Sequence, residues 1–204
     1  MYWKDEGYLL SKNNFDENSI IIDAFTLEHG RCTGVIYGGS SRKQKKKIQI
    51  GNKILFNWKS KGDNRVGYFD TELLKPIIPS FFDDKKKSIC VISASNLLKI
   101  LLPERQTNKK IYHLFEYFIN SLSRKDWIKF YILWELSLIK ELGYASDSLD
   151  DKKFISLDEK EKLTSADISK ALSFNKRLFI ENFILPNKLK LPLSRNILEK
   201  YYLS

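Results

Sequence analysis

The stretch GRCTGVIYGGSSRKQKKKIQIGNKILFNW, from Gly30 to Trp58, decides the fold of the first part of the chain. Two apolar, strand-like segments flank a loop in which five of the seven residues from Ser41 to Lys47 are basic. The second segment alternates apolar and polar residues at period two, which is typical of a strand with one buried face. The stretch therefore predicts two paired strands, and it poses the question of whether the basic loop binds an anion or is only solvated.

The sequence around this stretch extends the strand pattern. LEHGR, just before it, reads as a turn in which Gly30 takes a positive φ. KGDN, just after it, is a hairpin signal. Five short strands without a helix pattern among them predict a small barrel or sandwich over residues 1–75, and a five-stranded OB barrel fits this length. The other three predicted strands are GYLLSK (Gly7 to Lys12), SIIIDAFT (Ser19 to Thr26) and RVGYFDTEL (Arg65 to Leu73).

The chain changes character at KPIIPSFFDDKKK, from Lys75 to Lys87, where two prolines and a charge run interrupt the pattern. Apolar residues recur at helical spacing after this point, and Thr164 with Asp167 resembles a capping box. We therefore predict a two-part α+β fold, with an OB-fold domain at residues 1–75 packed on an all-helical domain at residues 80–204. The predicted helical segments are SICVISASNLLKILLPER, KKIYHLFEYFINSL, DWIKFYILWELSLIKELG, TSADISKALSFNKRLFIENFIL and LPLSRNILEKYYLS.

The charge balance predicts an anionic partner. The 204 residues carry a formal charge of +10, although lysine is so abundant that part of this excess reflects composition bias. Nucleic acid, an acidic protein segment and a membrane surface all fit the sign of the charge. No signal peptide and no membrane span is expected, because no segment has about 18 uninterrupted apolar residues. Two cysteines make no disulfide framework, so we expect a reduced, cytoplasmic location.

Catalytic patterns are not evident. A Ser-His-Asp or Cys-His device would have to use His29 or His113, the two histidines of the chain. His29 and Cys32 form an H-x-x-C pair, half of a zinc site, but Cys90 and His113 are too far along the chain to complete it convincingly. We predict a binding protein that is not an enzyme and has no cofactor or metal. Acid pairs at Asp83-Asp84, Asp150-Asp151 and Glu159/Glu161 read as solvated loop residues.

The surroundings of the basic loop favour binding over simple solvation. Basic residues also stand next to the neighbouring strands, and four aromatic residues alternate through them. Cations for phosphates and ring faces for bases are what single-strand binding on an OB barrel requires, although at least half of these rings are expected in the core. The predicted nucleic-acid-binding residues are Arg31, Arg42, Lys43, Lys45, Lys46, Lys47, Lys59 and Arg65, with Lys53 and Lys61 nearby. The aromatic residues are Tyr37, Phe56, Trp58 and Tyr68.

Several motifs, in order along nearly the whole chain, resemble the RecO family of bacterial DNA-repair proteins. The N-terminal signature is WKDEGYLLSK, then ENSIIIDAFTLEHGRCTGVIYGGSSRK. LLPERQTNKKIYHLFEYFINSL, WELSLIKELGYASD and the closing LPLSR resemble the helical part of the family. The matching residues are Glu6, Gly7, Asn18, Ser19, Phe25, Thr26, Glu28, Gly30 and Arg31, followed by Glu135, Leu136, Glu141, Leu142, Gly143 and Tyr144.

The resemblance implies a recombination mediator without catalytic activity. Such a protein binds single- and double-stranded DNA, anneals complementary strands, and engages the acidic C-terminal tail of the single-stranded-DNA-binding protein. With its partner RecR it helps to load the RecA recombinase, and it acts in the cytoplasm at the nucleoid. None of these steps requires the catalytic groups that the sequence lacks.

The chain departs from the family pattern in two places. Many members carry two C-x-x-C pairs soon after the LGY motif, but ASDSLDDKKFISLDEKEK contains no cysteine, so we predict that the zinc module is absent or shortened. Members often place arginine before the aromatic-Glu-Leu motif, where this chain has Ile132 and Leu133 before Trp134. The cation for the acidic tail would then come from Arg124 or Lys129, beside Trp134.

Two other binding functions fit the same features. An OB-fold module that binds RNA would use the same cations and rings, but would prefer structured RNA over single-stranded DNA. An adaptor that acts mainly through protein-protein contacts would not need the basic loop for affinity. An enzyme that uses the acid pairs is the least favoured alternative.

Overall fold

The computed structural model describes residues 1–60, 66–81, 83–144 and 163–202. Within this part the chain forms two compact units, Met1–Tyr112 and His113–Ser204. The first unit contains the strands and the first two helices, and the boundary between the units falls within the third helix. The predicted division into a barrel domain at residues 1–75 and a helical domain at residues 80–204 stays a prediction.

Five strands form a closed barrel in the first unit. They are β1 (Tyr2–Asn14), β2 (Ser19–Thr26), β3 (Gly30–Tyr37), β4 (Lys53–Lys59) and β5 (Gly67–Lys75). Their order around the barrel is β1-β2-β3-β5-β4, and all neighbours are antiparallel except β3 and β5. Together with the helical region that follows, this barrel confirms the predicted two-part α+β fold. The KGDN segment lies outside the described residues.

The barrel forms because alternate residues of its strands can share one apolar interior. In β4 the buried positions are Ile54, Phe56 and Trp58, and the residues between them are only half-buried. This is the period-two pattern predicted for the segment. Phe69 of β5 contacts Phe56 edge-on, with ring centroids 5.3 Å apart. β1, β2 and β3 pair in chain order, and so do β4 and β5, whereas the segment that contains the basic stretch carries the chain from β3 to β4 without pairing the two.

The basic loop is a short helix, which corrects the loop prediction. Helix α1 spans Arg42–Lys47, and the Ser41 hydroxyl accepts a hydrogen bond from the backbone N–H of Gln44 at 3.4 Å. Ile48, directly after the helix, is 1% exposed and anchors it in the barrel core. Lysine and arginine are good helix formers, and Ser-x-x-Gln is a capping-box spacing. The signal was therefore present in the sequence, but the charge run concealed it.

Helices dominate the rest of the described chain. They are α2 (Lys85–Leu101), α3 (Lys109–Ser121), α4 (Trp127–Glu141), α5 (Ser165–Phe179) and α6 (Leu193–Lys200), with a 3-10 turn at Ile78–Phe81 and a π-helical turn at Ile180–Ile184. The capping box of Thr164 and Asp167 is present at the start of α5. Helix α4 is buried on nearly all sides, as its apolar sequence predicts.

A carboxylate in β2 connects three strands to helix α2. One oxygen of Asp23 accepts hydrogen bonds from Thr33 at 2.9 Å and from Arg31 at 3.1 Å, both in β3. The other accepts from Ser11 of β1 at 2.6 Å and lies 3.0 Å from the Lys99 ammonium of α2. Burial alone would raise the pKa of this carboxyl, but the hydrogen bonds from Ser11, Lys99 and Thr33 hold the pKa below its ordinary value.

A buried ion pair organises the second unit. The guanidinium of Arg195 in α6 makes two hydrogen bonds to the Glu135 carboxylate of α4, and it also donates to the Leu172 carbonyl at 2.7 Å. Asn175 of α5 donates to the same carboxylate at 3.1 Å. Burial alone would lower the pKa of Arg195, but the Glu135 charge raises it above the ordinary value. The charged pair therefore fixes how α4, α5 and α6 pack.

Two glycines allow a direct test of backbone crowding. Gly30 and Gly38 both have positive φ, at +68° and +67°, but a Cβ on Gly30 would overlap the Gln106 carbonyl, whereas a Cβ on Gly38 meets no atom within 4 Å. Both alanine variants carry the left-handed strain, so we expect Gly30→Ala to lower the free energy of unfolding by about 1–3 kcal/mol more than Gly38→Ala. Urea unfolding of the two variants measures the difference, and equal values would contradict the crowding at Gly30.

Removing the Asp23 charge should destabilise the fold in a pH-dependent way. Because the folded-state pKa lies below the unfolded value of about 3.9, the carboxylate contributes stability above pH 4 that is lost as the pH falls through the folded pKa. Asp23→Asn should therefore lower the free energy of unfolding by about 2–3 kcal/mol at pH 7. The difference in the free energy of unfolding between wild type and Asp23→Asn should become smaller below pH 4, and urea unfolding at several pH values measures it. The exposed Asp83→Asn serves as the control, and a pH-independent gap for Asp23→Asn would contradict the assignment.

Candidate nucleic-acid interface

Exposed cations concentrate on helix α1, at the end of strand β3. Arg42, Lys45 and Lys46 are exposed and Lys47 is half-buried, whereas the side chain of Lys43 lies outside the described part. The three lysines of the last turn stand at the negative end of the helix dipole, which favours cations there.

A further lysine from β1 joins this cluster. The Lys12 ammonium donates a hydrogen bond to the Ile48 carbonyl at 2.7 Å. Partial burial and the charge of Lys45 together lower the pKa of Lys12. The cations of this surface therefore repel one another, and an anion bound among them would relieve the repulsion.

Of the four aromatic residues predicted around the loop, two are in the core and two face outward. Phe56 and Trp58 are 0% and 4% exposed and belong to the barrel interior. Tyr37 is 68% exposed, and its ring centroid lies 6.0 Å from that of Tyr68. This division agrees with the expectation that at least half of the rings are core residues.

Lys59 lies between two of the outward-facing rings. Its ammonium is 6.0 Å from the ring centroids of both Tyr2 and Tyr68, and it pairs with Asp70 at 3.3 Å. Tyr2 is 62% exposed and was not among the residues predicted from the sequence. Its position near the beginning of β1, away from the basic loop, concealed it. Arg65 and Lys61 lie outside the described residues.

The other predicted cation, Arg31, is occupied inside the first unit. Besides its ion pair with Asp23, its guanidinium donates to the Leu102 carbonyl at 2.9 Å, and its side chain is only 18% exposed. Its backbone carbonyl accepts from Arg105 at 2.7 Å. These contacts favour a structural role, and the phosphate contact assigned to Arg31 stays a prediction that the geometry does not support.

Comparison with known sequences identifies the family. The family model described as Recombination protein O N terminal matches residues 1–77, and the model described as Recombination protein O C terminal matches residues 83–150. A DNA repair protein RecO of Wolbachia pipientis (strain wPip) is 32% identical over 149 residues, which are 72% of this chain and 61% of that protein. A DNA repair protein RecO of Cereibacter sphaeroides is 33% identical over 147 residues, with the same two coverages.

The chain belongs to the RecO family. The resemblance predicted from the sequence motifs is confirmed. A RecO relative from Ehrlichia chaffeensis, 32% identical over 149 residues, shows the same pattern, with 72% of this chain and 60% of the relative covered. The chain thus spans about three fifths of the length of these curated relatives.

The residues predicted for the acidic tail of a partner are mostly inaccessible. Lys129 and Trp134 of this RecO-family chain are 2% and 3% exposed, so neither presents a surface for a peptide. Arg124 is about half-exposed; its guanidinium lies 4.1 Å from the centre of the Phe130 ring and pairs with Asp126. The apolar sequence of α4 indicated a buried helix, but it did not show that Lys129 shares this burial.

A groove along α5 was not predicted. It has a volume of about 480 Å³ and is open to solvent. It is lined by Ser169, Lys170, Ser173, Phe174 and Arg177. The Arg177 guanidinium lies 5.4 Å from the centre of the Phe174 ring, so the groove combines two cations, two hydroxyls and a ring.

The side chains of His29 and Cys32, the H-x-x-C pair, contact other protein groups. Cys32 is buried, and its thiol donates to the His29 carbonyl at 3.3 Å. The His29 ring stacks on Trp3 with centroids 4.2 Å apart, and its Nδ1 lies 3.0 Å from the Asp5 carboxylate. Within the described ranges, no three His, Cys, Asp or Glu side chains come close enough together to hold a metal ion.

The acid pair within the described residues lies at the surface and at a helix start. Asp84 caps helix α2 by accepting from the Lys87 backbone N–H at 3.0 Å, and Asp83 is exposed. The pairs at Asp150-Asp151 and Glu159/Glu161 lie outside the described residues. Among the helices that the structure describes, none is both long and apolar enough to cross a membrane.

Cys32 should resist alkylation in the folded protein. Burial raises the pKa of its thiol to about 12, and thiolate is the reactive form. At pH 8 we expect iodoacetamide to modify Cys32 slowly in the native state and rapidly in 6 M guanidinium, as measured by peptide mass spectrometry. Fast native labelling, at the rate of the denatured chain, would contradict the buried thiol.

Proposed function

We propose that this RecO-family protein is a DNA-binding mediator of recombinational repair. It binds single- and double-stranded DNA through the barrel, anneals complementary strands and, with RecR, helps the RecA recombinase onto DNA coated by single-stranded-DNA-binding protein. The observation that carries the proposal is the set of exposed cations on α1, projecting from a closed five-stranded barrel. The names of the relatives, DNA repair protein RecO, support the repair role.

The proposed phosphate contacts come from the first unit. Arg42, Lys45 and Lys46 supply exposed charge, with Lys47 and Lys43 on the same helix and Lys12 beside it. Lysine contributes point charges without a rigid donor pattern, which suits a sequence-independent backbone contact. Lys59 supplies a further cation on β4, beside the Tyr2 and Tyr68 rings.

The proposed mechanism needs no catalytic group. Annealing requires that two negatively charged strands approach each other, and bound cations lower that repulsion without breaking a covalent bond. The protein is therefore proposed to act without an enzymatic step, a cofactor or a metal, in the cytoplasm where the nucleoid lies.

The acidic tail of the single-stranded-DNA-binding protein is the proposed partner of the second unit. Because Lys129 and Trp134 are buried, the groove of α5 is the better candidate for this contact. Lys170 and Arg177 would pair with acidic side chains of the tail. RecR is proposed as a further partner, on a surface that these features do not define.

Removing the α1 charges should weaken DNA binding and flatten its salt dependence. We propose replacing Arg42, Lys43, Lys45, Lys46 and Lys47 by Gln, which keeps helix propensity. For a single strand each lost phosphate contact lowers the slope of log K against log salt by about 0.7, so five contacts lower it by up to about 3.5. Fluorescence anisotropy of a labelled oligonucleotide across a salt series measures both quantities.

The matched control removes five charges elsewhere. Lys85, Lys140, Lys188, Lys190 and Lys200 are exposed, and their replacement by Gln changes the net charge equally. This variant should keep most of the affinity and the slope. Equal losses of DNA affinity in both variants would mean that only the net charge of the protein matters. An unchanged DNA affinity of the α1 variant would favour the adaptor alternative. Tighter binding of structured RNA than of single-stranded DNA would favour the RNA-binding alternative.

A further inference from the structure

Two exposed tyrosines, one half-buried tyrosine and one lysine lie on adjacent strands of the barrel. Tyr68 of β5 is the register partner of Lys59 of β4, and Lys59 is the partner of Tyr2 of β1. On the other side, Tyr68 pairs with Val35 of β3, two residues before Tyr37. We call Tyr37, Tyr68, Lys59 and Tyr2 the tyrosine row. It crosses β3, β5, β4 and β1 in that order.

The pleat of the strands explains why the row faces solvent. Trp58 and Phe69 point into the core, so their neighbours Lys59 and Tyr68 point outward. Trp3 packs against the same core, which places Tyr2 on the outside. Accordingly, Tyr37 is 68% exposed and Tyr2 is 62% exposed.

The chemistry of the row matches an unpaired nucleic-acid strand. The rings of Tyr37 and Tyr68 are tilted by 54° rather than stacked on each other, so each can offer a face to a base. The Lys59 ammonium lies between the Tyr2 and Tyr68 rings, where a phosphate between two stacked bases would lie. Aromatic stacking is tolerant of sequence, because every base has a ring face.

The face of an OB barrel formed by strands 2 and 3 is the usual binding face, but here it is occupied. The side chains of Asp23 and Arg31 are bound to each other, and Lys99 of α2 covers that carboxylate. Glu104 also accepts a hydrogen bond from the Thr33 backbone N–H at 3.2 Å. The tyrosine row lies on the part of the barrel that these contacts leave open.

We propose that the tyrosine row stacks the bases of single-stranded DNA and gives the protein its preference for unpaired over duplex strands. The proposal deepens the proposed function and rests on it. The α1 cations contact phosphates of either form, whereas the row contacts only bases whose faces are accessible. In a duplex the bases are stacked on one another, so the tyrosine rings cannot stack on them and do not add to the affinity.

The test compares tyrosine variants on two substrates. Tyr2→Ala, Tyr37→Ala and Tyr68→Ala, singly and combined, are titrated against labelled oligothymidine and against a duplex of equal length. Each single variant should weaken single-strand binding by about 5- to 150-fold, with the duplex affinity and the salt slope changed little. The matching phenylalanine variants should retain single-strand affinity, because they keep the ring.

Controls separate this proposal from a folding defect and from failure of the proposed function. Tyr117→Ala removes an exposed ring of the second unit and should leave binding unchanged, and thermal unfolding checks that each variant is folded. If the tyrosine variants lose equal affinity for single strand and duplex, or lose none for either, the proposal for the tyrosine row is wrong. The result for the α1 cations would still stand. A wild-type protein that binds neither substrate at low salt would overturn both proposals.

Discussion

The Asp23 carboxylate is the constraint on which the first unit depends. A buried charge is costly unless hydrogen bonds or ion pairs satisfy it. Here four donors from β1, β3 and α2 surround the buried carboxylate. This arrangement fixes α2 against the barrel. It also holds Arg31 and Lys99 in ion pairs with the same carboxylate, so these contacts cover the β2–β3 face of the barrel.

The exposed cations and the exposed rings of the first unit lie on different elements. Helix α1 carries dense charge and no exposed ring, whereas the tyrosine row carries rings and a single lysine. Charge acts on phosphates at a distance and weakens with salt, whereas stacking is short-ranged and nearly independent of salt. For the proposed binding of both single and double strands, these two contributions then lie on separate elements.

Much of the fold could be predicted because local patterns agreed with the final packing. The alternation in β4 and the Thr164 capping box each depend on residues only a few positions apart. The contact of Arg31 with Leu102 and the burial of Lys129 could not be predicted, because they depend on residues far along the chain and on how the helices pack. Tyr2 was missed for the same reason, since only the barrel register brings it next to Lys59.

The central claim is that single strands lie across β3, β5, β4 and β1 rather than on the β2–β3 face. Photo-crosslinking with an oligonucleotide that contains 5-iododeoxyuridine, followed by peptide mass spectrometry, tests it most directly. Crosslinks should map to Tyr2, Tyr37 or Tyr68. Crosslinks confined to the segment from Ile20 to Thr33, or to the end of α2, would contradict the claim.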